Sequence, residues 1–158
     1  MSNEPRPRQA VVTGSSSGIG RAIAQALLDG GWHVTGLDVA PTTLRQPGFT
    51  PLAVDLADGP ALERAAAGLQ GADALVHAAG VLRVGPLGRL DAAAGALMWQ
   101  LHVDAATRLA NALVPAMADR GRGRVVFIGS RVAQGLPGRG QYAATKAALV
   151  ALARSWAV

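Results

Sequence analysis

Tyr142 and Lys146 are the only tyrosine and the only lysine in the chain, and they stand four residues apart in YAATK. On a helix that spacing places both side chains on one face. A phenol with an ordinary pKa near 10 exchanges protons poorly at neutral pH. A neighbouring ammonium stabilises the phenolate and improves it as a proton donor and acceptor. Tyr142 is therefore expected to act as general acid when a carbonyl is reduced and as general base when an alcohol is oxidised. Ser130, twelve residues earlier, is expected to hydrogen-bond the same oxygen as charge develops on it. Each residue also has a plainer reading: Tyr142 as packing, Lys146 as surface charge, Ser130 as a helix cap.

The second concentration of chemistry is the stretch TGSSSGIG, residues 13–20, directly behind an apolar run. Between a strand and a helix, glycines such as Gly14, Gly18 and Gly20 let backbone approach a pyrophosphate. The helix N-terminus then adds free N–H groups and partial positive charge. Ser16, Ser17 and Ile19 complete the loop. Asp38 follows Gly20 by 18 residues, at the end of HVTGL, where an acid binds a ribose 2′-hydroxyl. A carboxylate there repels a 2′-phosphate, and neither Ser17 nor Val39 offers a positive charge to receive one. NAD is the expected cofactor and NADP the less favoured one. The plainer alternatives are a tight turn for the glycines and a solvated strand end for Asp38.

These groups need elements to hold them. Residues 10–12 read as a buried strand. The helix that follows carries Ile19, Ile23, Ala26 and Leu27 on one apolar face and stops at Gly30–Gly31. Residues 33–37, 50–54, 73–76 and 124–128 read as four further strands. Residues 60–69, 92–117 and those from 141 onward read as helices. Residues 1–8 are expected to be a disordered leader and residues 9–158 one dinucleotide-binding domain. Alternating strands and helices imply an α/β, Rossmann-like doubly wound parallel sheet in three layers.

Composition narrows the function classes. The chain has 158 residues, 50% hydrophobic and 16% charged, which suits one folded domain and excludes a disordered chain. With no cysteine there is no disulfide and no thiolate metal site, and the three histidines are too scattered to suggest metal ligands. No apolar run approaches the ~20 residues of a membrane span, and no signal-peptide core follows the N-terminus, so a cytoplasmic protein is expected. The net charge is +5, yet the arginines are spread along the chain. Only Arg120, Arg122 and Arg124 cluster, and aromatics total 4%. Nucleic acid is not an expected partner.

TGSSSGIG, the Asp38 strand end, DLAD at 55–58, HAAG at 77–80 and the Ser130, Tyr142, Lys146 set together resemble the short-chain dehydrogenase/reductase (SDR) family, over essentially the whole chain from Gln9. The resemblance implies an oxidoreductase acting on a secondary alcohol or ketone, with a non-catalytic dinucleotide-binding module as the alternative. It places Asp55 and Leu56 at the adenine and Ala78, Ala79 and Gly80 along the cofactor. It makes Tyr142 the proton donor or acceptor, gives Lys146 the nicotinamide ribose, and lets Ser130 orient substrate. DALVHAAGVLRVGPLGRL is further similar to dehydrogenases of the 2,3-dihydro-2,3-dihydroxybenzoate type, with Arg83, Val84 and Leu136 in loops that reach substrate.

Departures from the family pattern carry their own expectations. His77 stands where the family has a structural Asn and is expected to take over its hydrogen bonds. His102 stands where the family has a catalytic Asn and is expected either to serve a proton relay, since a histidine titrates near neutrality, or to be a packing residue only. The sequence stops within the helix of Tyr142, where family members continue with two more strands. The expectation is a truncated sheet with strand five as an exposed apolar edge, an open substrate pocket, and weak or no activity alone. The helices 92–117 and 141–157 are those through which the family dimerises, which implies a homo-oligomer.

Overall fold

Five parallel strands form one sheet in the order β3-β2-β1-β4-β5 in the computed structural model, which describes residues 6–157. The strands are β1 (Gln9–Thr13), β2 (His33–Asp38), β3 (Phe49–Ala53), β4 (Ala74–His77) and β5 (Arg124–Phe127). β4 is buried along its whole length and β1 everywhere except Gln9. That is why both read as continuous apolar runs rather than alternating ones.

The strand alternation sends side chains to two cores. Ala10, Val12, Val34, Ala74 and Val76 pack with Ala24 of α1 (Gly18–Asp29) on one face. Val11, Leu37 and Leu75 pack on the other with Leu62 of α2 (Gly59–Ala66) and with Leu109 and Leu113 of α4 (Ala105–Asp119). The result is three layers. Chain order leaves β1 for β2 on one side and β4 for β5 on the other. The crevice between β1 and β4 at their C-terminal ends is thus the switch point where such sheets bind ligands.

Local chemistry sets the helix starts. Asp58 accepts the Ala61 N–H and Asp91 accepts the Ala94 N–H, capping α2 and α3 (Ala92–Trp99). The segment expected as one helix over 92–117 is α3, a π-helical turn at Gln100–Asp104, and α4. A π turn widens the spiral by one residue, which no apolar periodicity announces. α5 (Gly140–Trp156) packs against α3 and the π turn.

One further expectation is corrected. Ile19 is 61% exposed and sits at the cleft rather than on the packed face of α1, whose buried residues are Gly20 and Ala24. Residues 1–5 of the expected leader lie outside the described residues. In residues 6–8, Arg6 pairs with Asp73 at 3.0 Å and Arg8 lies 4.4 Å over the Trp32 ring. The arginine cluster is used within the fold: Arg120 donates to the carbonyls of Gln70 and Ala72, and Arg122 stands 3.6 Å from Asp73. β5 forms one edge of the sheet, with Val125 and Val126 exposed, and β3 the other. Among the described residues no helix is long and apolar enough to cross a membrane.

Candidate active site

The glycine loop closes against the strand beside it. Gly14 takes φ +67°, and a Cβ there would lie 2.9 Å from the Ala79 Cα. A Cβ at Gly20 would collide with the Gly14 carbonyl oxygen. Both positions need bare backbone for close approach. Ser17 caps α1 with extended backbone but makes no side-chain cap bond, and no acid stands in the first turn. The N-terminal amides of α1 and their partial positive charge therefore face the cleft unclaimed.

Asp38 braces this loop. Its Oδ2 accepts the Ser16 N–H at 2.9 Å and its Oδ1 accepts the Ala40 N–H at 3.0 Å. The Ser16 hydroxyl donates to the Ala40 carbonyl. A cleft of about 460 Å³ runs from there along the switch point. It is lined by Gly14, Ser17, Gly18, Ile19, Gly20, Asp38, Asp55, Leu56, Ala78, Ala79 and Gly80. Ser16 lies on the other side of Asp38, in a smaller groove. Sequence reasoning missed Val54, Val81, Leu97 and Leu101 of the same lining. Bare backbone at Gly14 and Gly20, open helix amides and a carboxylate at the far end fit a dinucleotide: backbone for the pyrophosphate, Asp38 for a ribose.

The cleft wall hangs on Thr13, a residue the sequence did not single out. Its hydroxyl oxygen accepts the N–H groups of Ala78 and Ala79, each at 3.1 Å. Its hydrogen goes to His77 Nδ1 at 2.9 Å, and His77 Nε2–H donates to the Leu101 carbonyl at 3.0 Å. Every donor and acceptor is matched only when His77 is neutral. Burial pushes its pKa down to about 4, with the Lys146 charge adding to the effect. His77 thus takes the structural place expected of it.

His102 is fully buried in the π turn. Its Nε2 accepts the Val81 N–H at 3.0 Å, so its Nδ1–H donates to the Thr145 hydroxyl at 2.7 Å. Both nitrogens are committed, and burial, then the charge of Lys146, push its pKa down to about 4. With both nitrogens bonded within the fold, the geometry favours the packing alternative for His102 over the relay.

Ser130 follows β5 and caps a 3-10 turn at Arg131–Gln134, accepting the Val132 N–H at 3.2 Å. Its hydroxyl hydrogen makes no bond among the described residues. The 3-10 turn packs against α5, which carries Tyr142 and Lys146. Lys146 is not surface charge: it is 5% exposed, its Nζ donates to the Ile128 carbonyl at 2.8 Å, and it lies 5.8 Å from the Tyr142 ring centroid. Burial pushes the Lys146 pKa down. Tyr142 is half-buried, and its hydroxyl has no partner among the described residues. The loops of Arg83 and Leu136 are joined by the Gly85 N–H to the Gly138 carbonyl at 2.9 Å. Among the described residues no group of His, Cys, Asp and Glu could hold a metal ion.

Comparison with known proteins follows the same lines. Residues 8–158 match the family model described as short chain dehydrogenase. The chain is 29% identical to 2-keto-3-deoxy-L-fuconate dehydrogenase of Xanthomonas campestris pv. campestris, over 94% of this chain and 52% of that protein. It is similar to a short-chain dehydrogenase structure from Streptomyces avermitilis, with TM-score 0.90 and 33% identity over 96% of this chain and 60% of that one. A metagenomic short-chain oxidoreductase in complex with NADP matches with TM-score 0.87 and 30% identity, over 94% of this chain and 73% of that one. The chain spans roughly half to two thirds of the length of the curated relatives it matches.

Proposed function

This chain belongs to the short-chain dehydrogenase family, and we propose that it acts as a nicotinamide-dependent oxidoreductase on a secondary alcohol or ketone, preferring NAD to NADP. The observation that carries the reading is the buried ammonium of Lys146 beside the single phenol of the chain, on the helix packed against the Ser130 turn. Gly14, Gly18, Gly20 and the first amides of α1 would hold the pyrophosphate, Asp38 a ribose, Asp55 and Leu56 the adenine, and Ala78–Gly80 the flank of the cofactor. When bound, the nicotinamide supplies hydride exchange with the carbon that bears the reacting oxygen.

The chain's own residues do the rest. Tyr142 donates a proton to the carbonyl oxygen in reduction and withdraws it from the alcohol in oxidation. Lys146, held by the Ile128 carbonyl, puts a positive charge where phenolate charge develops. Ser130 donates its free hydroxyl hydrogen to the reacting oxygen. The NAD preference rests on Asp38, whose carboxylate lines the cleft and repels a 2′-phosphate. NADP in the metagenomic relative makes this a property of Asp38 and not of the family. None of the relatives named above is described as a dihydroxybenzoate dehydrogenase, so the substrate class drawn from the loops rests on sequence resemblance alone. The segments 92–117 and 141–157, with Val150 exposed on α5, are the surface for the homo-oligomer that the family resemblance implies.

A second reading, a non-catalytic dinucleotide-binding module, is favoured by one observation. Ser130, Tyr142 and Lys146 all lie outside the lining of the cleft. Tyr142→Phe separates the two. In an oxidoreductase it abolishes turnover and leaves NADH binding intact, whereas a binding module shows no turnover in either form.

A further inference from the structure

His102 joins the wall of the cleft to the helix that carries Tyr142 through both of its ring nitrogens. One arm is the Val81 N–H, which donates to Nε2 at 3.0 Å. Val81 belongs to the wall of the cleft. The other arm is Nδ1–H to the Thr145 hydroxyl at 2.7 Å, and that hydroxyl donates to the Tyr142 carbonyl at 2.8 Å. The imidazole also stands edge to face with the Tyr142 ring, the centroids 5.5 Å apart. Gly80 makes room for it, since a Cβ there would lie 2.6 Å from Nε2.

The linkage continues behind the ring. Residue 101, next in the π turn, accepts His77 Nε2–H through its carbonyl, and His77 Nδ1 receives the Thr13 hydroxyl. One buried series of hydrogen bonds thus runs from the strand before Gly14, through the π turn, to the first turn of α5. Each bond in it needs a donor facing an acceptor, which fixes His77 as the Nε2–H tautomer and His102 as the Nδ1–H tautomer.

We propose that His102 is a positioning residue: its neutral ring clamps the cleft wall at Val81 to the helix of Tyr142, so the cofactor cleft and the proton-transfer residue are held as one unit. This rests on the nicotinamide-dependent activity proposed above. It differs from a relay because no proton leaves the ring. Without the Thr145 hydroxyl, Nδ1–H is buried without an acceptor. The alternative tautomer would instead set Nε2–H against the Val81 N–H. A change at Thr145, which does not line the cleft, is therefore felt in the cleft.

The test combines nitrogen-15 NMR of the histidine rings with fluorescence titration of NADH, on the whole chain and on Thr145→Val and Thr145→Ser. The expected result is His102 as Nδ1–H and His77 as Nε2–H. Thr145→Val weakens NADH binding about tenfold, the equivalent of one buried hydrogen bond, and Thr145→Ser, which keeps the hydroxyl, stays within about twofold of the native chain. Should Thr145→Val not fold, Gly80→Ala presses on the opposite arm and is expected to displace the His102 ring signals and weaken NADH binding. His102 found as Nε2–H, or a folded Thr145→Val with native NADH affinity, overturns the proposal. A native chain that binds neither NADH nor NADPH, with His102 still Nδ1–H, overturns the proposed function and the positioning role with it. The tautomer tells that failure from a failure of the clamp alone.

Discussion

Acidification from pH 7 to pH 5 is expected to destabilise the folded chain through His77 and His102. Both are 1% exposed or less and carry a pKa pushed from the ordinary 6.5 down to about 4. Folded, both rings stay neutral until the pH nears 4. Unfolded, both take up a proton as the pH falls through 6.5, so the unfolded chain binds more protons in that window. Stability is complete above pH 7, falls between 6.5 and 4, and levels off below. Linkage over this interval gives about 2 kcal/mol per histidine at pH 5, or about 4 kcal/mol for both. For a chain of this length that lowers Tm by roughly 8–16 °C. The interval from pH 7 to pH 5 lies above the ordinary carboxylate range, so acid groups contribute little to it. The assay is thermal unfolding by circular dichroism at half-unit pH steps. His77→Asn, which removes one titrating ring, is expected to halve the slope of Tm against pH. A Tm unchanged between pH 7 and pH 5, or an undiminished slope in His77→Asn, refutes the reasoning.

Other substitutions test the site piece by piece. Asp38→Ala removes the acceptor of the Ser16 and Ala40 amides and the charge facing a 2′-phosphate. It is expected to weaken NADH about tenfold and to narrow the preference over NADPH, as read by paired fluorescence titrations. Gly20→Ala forces a Cβ onto the Gly14 carbonyl. It is expected to abolish dinucleotide binding and to cost about 2 kcal/mol or more of stability in urea unfolding. Lys146→Met exchanges a buried cation for an apolar chain of similar length. It is expected to remove turnover while leaving stability unchanged or raised in the same unfolding assay.

The chain order of strands and helices, the glycine loop before α1, Asp38 closing β2 and the YAATK spacing were all legible in the sequence. Each is a local matter: a glycine needed where backbone approaches backbone, a period of two or of 3.6, an acid at a strand end. What a side chain far away in sequence does to a group was not legible. The π turn that aims His102 has no periodic signature. Thr13 and Thr145 look like ordinary polar residues until the fold brings Thr13 to His77 across 64 positions and Thr145 to His102 across 43. Lys146 is paired with Tyr142 by its spacing, but its burial and its bond to the Ile128 carbonyl come only from packing. Ile19 reads both as part of the glycine loop and as core, until the fold turns it to the cleft. A histidine's type alone suggests titration near neutrality. Its tautomer, its charge and its freedom to move a proton depend on which donors and acceptors surround it, and only tertiary packing supplies those.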